Sequence, residues 1–133
     1  MQLSEEQKNF FQTFGYLAIP QLFSEAETEQ IIDGFEWSIQ NRGSGKDHDG
    51  TSRTMFGGPI EHSSKMCALL DHPSVKGLIG GVLGEDFNYC SGDGNYYTGD
   101  TNWHPDGNWG QLFAAKAAFY LDPSCGRTSR TSR

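Results

Sequence analysis

The stretch YYTGDTNWHPDGNWG, residues 96–110, contains the residue types of a metal site on extended backbone. Residues two apart in such backbone point to the same side, so His104 and Asp106 are predicted to present an imidazole nitrogen and a carboxylate oxygen to one point. Pro105 between them fixes φ and stiffens the pair. An imidazole and a hard carboxylate suit Fe(II), Mn(II) or Zn(II) and make up two of the three ligands in the facial triad of non-haem iron oxygenases.

The His-x-Asp spacing is a weak motif by itself, because an Asp follows a His at this distance by accident in many sequences. The alternative interpretation is a surface turn in which Asp106 accepts hydrogen bonds from nearby N–H groups. The surrounding sequence is needed to choose between a metal site and a surface turn.

The residues up to Gly84 have helical patterns. Two stretches that each begin with a capping box predict helices: LSEEQKNFFQTFG (3–15, Ser4 with Gln7) and FSEAETEQIIDGFEWSIQNRG (23–43, Ser24 with Glu27). The second helix is expected to bury Ile31, Ile32, Phe35 and Ile39. YLAIP, residues 16–20, predicts a short strand, and residues 63–73 and 74–84 predict two short helices.

After Gly84 the pattern changes to strands. Residues 86–100 alternate aromatic and small polar side chains around Asp93-Gly94, which predicts a hairpin turn. The run LFAAKAAFYLD, residues 112–122, predicts a further strand. The fold class that follows is α+β or mainly β, with a helical part over 1–84 and core strands over 85–123.

Composition limits the classes of partner. Three of the ten basic residues lie in the last seven positions, so the first 126 residues carry seven Lys and Arg against 17 Asp and Glu. Such an acidic body repels phosphate backbones, which disfavours nucleic-acid binding. No run is long and apolar enough to span a bilayer, and the polar start MQLSEEQKNF is unlike a leader, so we expect a cytoplasmic protein without a membrane partner.

Several segments in the same order resemble the phytanoyl-CoA dioxygenase family. They are the opening LSEEQKNFFQTFGYLAIPQLFSEAETEQI (3–31), DHPSVKGLIGGVLGEDF (71–87), GDTNWHPDG (99–107) and AAKAAFYLDP (114–123). Members of that family are Fe(II)- and 2-oxoglutarate-dependent oxygenases built on a double-stranded β-helix, or jelly-roll, core of the cupin type. The resemblance covers residues 3–123 and implies a hydroxylase that couples decarboxylation of 2-oxoglutarate to oxidation of a small organic substrate.

The resemblance also implies roles for individual residues. His104 and Asp106 match the first two iron ligands of the family. Lys116 stands where members often carry a basic residue that reaches the distal carboxylate of 2-oxoglutarate, and a lysine extending to solvent is the alternative. The aromatic residues Tyr96, Tyr97, Trp103 and Trp109 are expected beside the iron, Tyr97 next to the co-substrate and the other three in the substrate pocket.

The family pattern requires a second His and an Arg downstream, whereas none of the 27 residues after Asp106 is a His. Residues 124–133, SCGRTSRTSR, depart from the family and are expected to be disordered. A truncated or frame-shifted chain that is a poor or inactive catalyst by itself is therefore expected, and a natively short variant stays open as the alternative. Two other functions stay open: a non-catalytic β-rich binding or assembly module, and a cupin-like metalloprotein that does not use 2-oxoglutarate. The sequence does not indicate an oligomeric state.

Overall fold

A computed structural model describes residues 1–43, 48–100, 102, 104 and 113–121. The described residues form five helices and two strands. In chain order they are α1 (Glu5–Phe14), α2 (Glu25–Arg42), β1 (Thr54–Gly57), α3 (Pro59–His62), α4 (Ser64–Asp71), α5 (Pro73–Leu83) and β2 (Asp93–Tyr96).

Both predicted capping boxes are confirmed. The Ser4 hydroxyl accepts from the Gln7 backbone N–H at 3.2 Å, and the Gln7 side chain accepts from the Ser4 backbone N–H at 2.9 Å. Ser24 and Glu27 make the same reciprocal pair at the start of α2. These bonds satisfy N–H groups that the first helical turn leaves without a partner, which is why the sequence places both helix starts correctly.

The core forms where α2 faces the short helices and the strands. The buried apolar side chains that contact one another there are Ile31, Phe35, Ile39, Phe56, Met66 and Leu69. Three of the four positions predicted for the buried stripe of α2 are therefore confirmed, while Ile32 is only half-buried. Ser38 is fully buried on the same helix and donates to the carbonyl of Gly34 at 2.8 Å, so its hydroxyl does not go unsatisfied.

The two strands pair antiparallel as a ribbon, with Thr54 opposite Tyr96 and Phe56 opposite Gly94. The predicted hairpin turn at Asp93-Gly94 is wrong, because both residues lie inside β2. The glycine has a steric role instead of a turn role. A Cβ on Gly94 would clash with the Phe35 ring, so only a residue without a side chain lets α2 pack this closely on the ribbon.

Two other predicted strands are not formed. Residues 16–20 and the described part of the 112–122 run, 113–121, lie outside any helix or strand. In the second segment Phe119 and Leu121 still pack against the core. Their apolar side chains are therefore explained by contact with the core and not by membership of a β-strand. The helical part predicted for 1–84 also supplies strand β1. The jelly-roll core stays a prediction.

The junction between α4 and α5 is tied to the start of α2. His72 joins the two short helices, and its Nε2 lies 3.1 Å from Glu27 Oε1. The Phe23 ring packs edge-on against the His72 ring at 5.1 Å between centroids. Glu27 therefore stabilises both its own helix start and the helix pair beside it.

None of the helices formed by the described residues has both the length and the apolar character needed to cross a bilayer.

We expect Gly94→Ala to destabilise the chain by about 1–3 kcal/mol, because the added methyl group overlaps the Phe35 ring. Gly57→Ala is the matched control: it lies in the same ribbon, and a Cβ there meets nothing within 4 Å. Urea unfolding of the two variants measures the difference. Equal midpoints would contradict the close packing of α2 on β2.

The lowered pKa of Glu27 should make the stability of the fold depend on pH. Hydrogen bonds from the Ser24 backbone and side chain, and then from His72, lower the pKa of Glu27 from 4.5 to about 2. Because the ionised form is favoured in the folded chain, this stabilisation is present above pH 4.5 and is lost as the pH falls toward 2. Glu27→Gln should reduce the change of the unfolding midpoint with pH between about pH 2 and pH 4.5. Glu29→Gln, a change at an exposed position of the same helix, should leave this pH dependence as it is in the unaltered chain.

Candidate functional site

His104 is exposed, and its Nδ1 lies 2.7 Å from the carbonyl oxygen of Asn102. A carbonyl can only accept, so a neutral imidazole in this arrangement carries its proton on Nδ1 and its lone pair on Nε2. Histidines that bind metals are usually oriented in this way by a backbone carbonyl or a carboxylate. The local backbone thus favours the tautomer that a metal ligand requires.

The partners predicted for His104 lie outside the described residues: Asp106, Trp103 and Trp109. Among the residues that the structure does describe, no three His, Cys, Asp or Glu side chains lie together as a metal site would need. The metal site therefore rests on the sequence spacing and on the orientation of His104.

Tyr96 lies on the inner face of the ribbon, toward α2. Its ring is 5.5 Å from that of Phe35 and stacks on that of His48 at 4.9 Å, with an 18° angle between the ring planes. His48 is fixed in turn by a 3.0 Å contact between its Nδ1 and the Thr54 hydroxyl. Burial and, second, the nearby Glu36 carboxylate raise the pKa of Tyr96 above its usual value.

Tyr97 directly follows β2 and lies on the face of the ribbon opposite Tyr96, because side chains alternate along extended backbone. It is 56% exposed, and the Arg53 guanidinium carbon lies 4.4 Å from the centre of its ring. This distance is typical of a cation–π contact. The same guanidinium donates through Nε to the Asn95 side-chain oxygen at 2.8 Å.

Lys116 reaches the same outer face. Its Nζ lies 3.9 Å from Asp93 Oδ1, and the Asn95 amide donates to the other oxygen of that carboxylate at 2.5 Å. We use the term outer ribbon face for the surface that carries Arg53, Asp93, Asn95, Tyr97 and Lys116. Two of the five, Tyr97 and Lys116, were predicted as co-substrate residues from the sequence.

The structure therefore places the adjacent residues Tyr96 and Tyr97 on opposite faces of the ribbon, with Tyr97 on the same outer face as Lys116. Sequence reasoning missed Arg53 and Asn95. The alternation of side chains in two paired strands would have revealed them, but only if the strand at 54–57 had been predicted.

No known protein family, curated protein or solved structure matches this chain. The geometry and the sequence pattern are the only guides to its function.

A separate cleft of about 380 Å³ lies between α1, α5 and the segment that begins at Phe113. Its lining is Lys8, Phe11, Gln12, Gly15, Gly81, Val82, Phe113 and Ala114. Among the predicted site residues that the structure describes, none lines this cleft. Lys8 is already paired with Glu5 at 2.8 Å, so the cleft offers mainly apolar surface.

We expect Glu36→Gln to lower the pKa of Tyr96 toward its usual value without restoring it completely, because burial, the larger cause, remains. An NMR titration of chains labelled at the tyrosine rings measures the shift directly. Glu29→Gln, which removes a carboxylate from an exposed position of the same helix, should leave Tyr96 unchanged. An unchanged Tyr96 in the Glu36 variant would mean that burial alone raises its pKa.

Proposed function

We propose that this chain belongs to an Fe(II)- and 2-oxoglutarate-dependent oxygenase that hydroxylates small organic molecules. The order and spacing of its motifs support the proposal, together with the orientation of one imidazole. When bound, the iron would supply the oxidising power, coupled to decarboxylation of 2-oxoglutarate to succinate. The contribution of the chain is to hold, orient and shield the reactants.

The observation that carries the proposal is the hydrogen bond from His104 Nδ1 to the Asn102 carbonyl. It gives the imidazole the tautomer whose Nε2 lone pair can bind a metal, and it restricts rotation of the ring before the metal arrives. A histidine in a surface turn that binds no metal does not require its Nδ1 to face a backbone carbonyl. The donor set of a nitrogen from His104 and an oxygen from Asp106 fits Fe(II) by its chemistry.

Lys116 and Tyr97 are the proposed co-substrate residues. The Lys116 ammonium is half-exposed, and its 3.9 Å distance from Asp93 is long for an ion pair. In the proposed function this cation binds a carboxylate of 2-oxoglutarate, its charge complement. The phenol of Tyr97 lies on the same face and can donate a hydrogen bond to an oxygen of the same ligand.

The proposed substrate is a small organic molecule and not an acyl-CoA. A site for the phosphates of coenzyme A needs a basic cluster. The net charge of −7 across the whole chain makes such a cluster costly to assemble. Trp103 and Trp109 are the proposed aromatic lining of the substrate pocket, where flat rings exclude water and contact an apolar skeleton, whereas Tyr96 packs between Phe35 and His48.

We expect His104→Gln and Asp106→Asn each to weaken Co(II) binding by at least about tenfold, because each removes a direct ligand. Co(II) stands in for Fe(II), since its absorption bands report ligand binding without oxidation in air. His62→Gln is the matched control, because His62 is exposed and lies at the end of a helix. If all three variants bind equally, the metal site is wrong and the non-catalytic module is favoured.

A second measurement separates the oxygenase from the cupin-like alternative. We expect 2-oxoglutarate to raise the thermal unfolding temperature only when metal is present, because a chelating ligand binds through the metal. Metal binding that depends on His104 but does not respond to 2-oxoglutarate would favour a metalloprotein that does not use this co-substrate.

A further inference from the structure

We propose that Arg53, on the outer ribbon face, binds the carboxylate group of a small organic acid in a site that needs no metal. The site consists of the Arg53 guanidinium, the Tyr97 ring beneath it and the Asn95 amide beside it. It shares Tyr97 with the proposed co-substrate site but needs neither the iron nor its ligands, so failure of the proposed oxygenase function would not remove it.

The guanidinium is held in place before any ligand binds. One of its faces lies over Tyr97 at 4.4 Å, and its Nε–H is bonded to Asn95 at 2.8 Å. The Asn95 amide is oriented in turn, because its NH₂ group donates to Asp93. A long side chain that two contacts already hold in position loses little rotational freedom on binding, which favours affinity.

The terminal nitrogens of this guanidinium have unused donors. Arg53 is exposed, and apart from Asn95 its partner is the Met55 sulfur, a weak acceptor, at 3.8 Å from Nη2. Within the described part of the chain, no carboxylate forms an ion pair with Arg53. A structural arginine normally has such a partner, whereas this one presents a planar set of N–H groups that matches a carboxylate.

The surrounding charges favour a weakly charged anion. The one acidic side chain of the outer ribbon face, Asp93, is bonded to Asn95 and lies near Lys116, so the face has a positive balance. The chain as a whole carries a net charge of −7, which opposes a doubly charged anion such as phosphate more than a monocarboxylate. Planar shape and single charge both point to a carboxylate.

An NMR titration of the metal-free full chain tests the proposal, with butyrate as the probe. Butyrate should shift the Arg53 Nε–H and Asn95 side-chain signals in a saturable way. Butyramide, the neutral analogue, should not. Inorganic phosphate at the same ionic strength should bind more weakly than butyrate. Saturable binding of phosphate that is as tight as that of butyrate would overturn the carboxylate assignment.

Variants locate the site. We expect Arg53→Gln to weaken butyrate binding by about tenfold, and Arg53→Lys, which keeps the charge but not the planar donors, to weaken it by a smaller factor. Arg42→Gln makes the same charge change at the end of α2 and should bind as the unaltered chain does. If Arg42→Gln weakens binding as much as Arg53→Gln, general charge attraction explains the effect and the proposal fails.

Two further changes test the neighbours of Arg53. Asp93→Asn should tighten butyrate binding, because it removes the negative charge of the outer ribbon face. Tyr97→Leu should weaken binding by removing the ring under the guanidinium, whereas Tyr97→Phe should preserve it. If Tyr97→Leu binds as well as Tyr97→Phe does, the aromatic ring has no part in the site.

Discussion

The contact between Phe35 and the ribbon is the interaction on which the arrangement of this chain depends. The Phe35 ring occupies the space above Gly94 and packs against Tyr96 across the inner face of the two strands. Because this ring joins the longest helix to β2, and β2 pairs with β1, it fixes which face of the sheet is covered. A two-stranded ribbon is only marginally stable without such support. The residues of the opposite face owe their positions to this packing.

The covered and the uncovered face of the ribbon carry different kinds of side chain. The inner face is aromatic and partly buried, with Tyr96 between Phe35 and His48. The outer face is polar, and its charged groups are connected through the amide of Asn95. An amide can accept from one neighbour and donate to another at the same time, so Asn95 can hold a cation and an anion that are not in contact with each other. The anion site proposed for Arg53 lies on this outer face and shares Tyr97 with the proposed co-substrate site, whereas the proposed iron ligands His104 and Asp106 lie further along the chain.

The sequence predicted the helices well because their determinants are local. Ser4 and Ser24 begin α1 and α2 through bonds that span three residues, and the apolar spacing of α2 indicates its buried side. The ribbon could not be predicted in this way, since β1 has four residues and its partner lies far along the chain. Asp93-Gly94 has the composition of a turn, and only the position of Phe35 explains why a glycine is needed within a strand. His104 and Asp106 were found from spacing, while Arg53 becomes visible only when the register is known.

The pairing of β1 with β2 has a consequence for the order of folding. The hydrogen bond between Arg53 and Asn95 connects residues 42 positions apart, and α3, α4 and α5 all lie in the loop that it closes. Closing such a loop costs entropy that only the completed ribbon compensates, whereas each helix can begin from contacts between near neighbours. During synthesis α2 would leave the ribosome long before β2 exists, with the Phe35 ring still exposed. That interval is when a nascent chain of this kind is most vulnerable to aggregation and most dependent on chaperones.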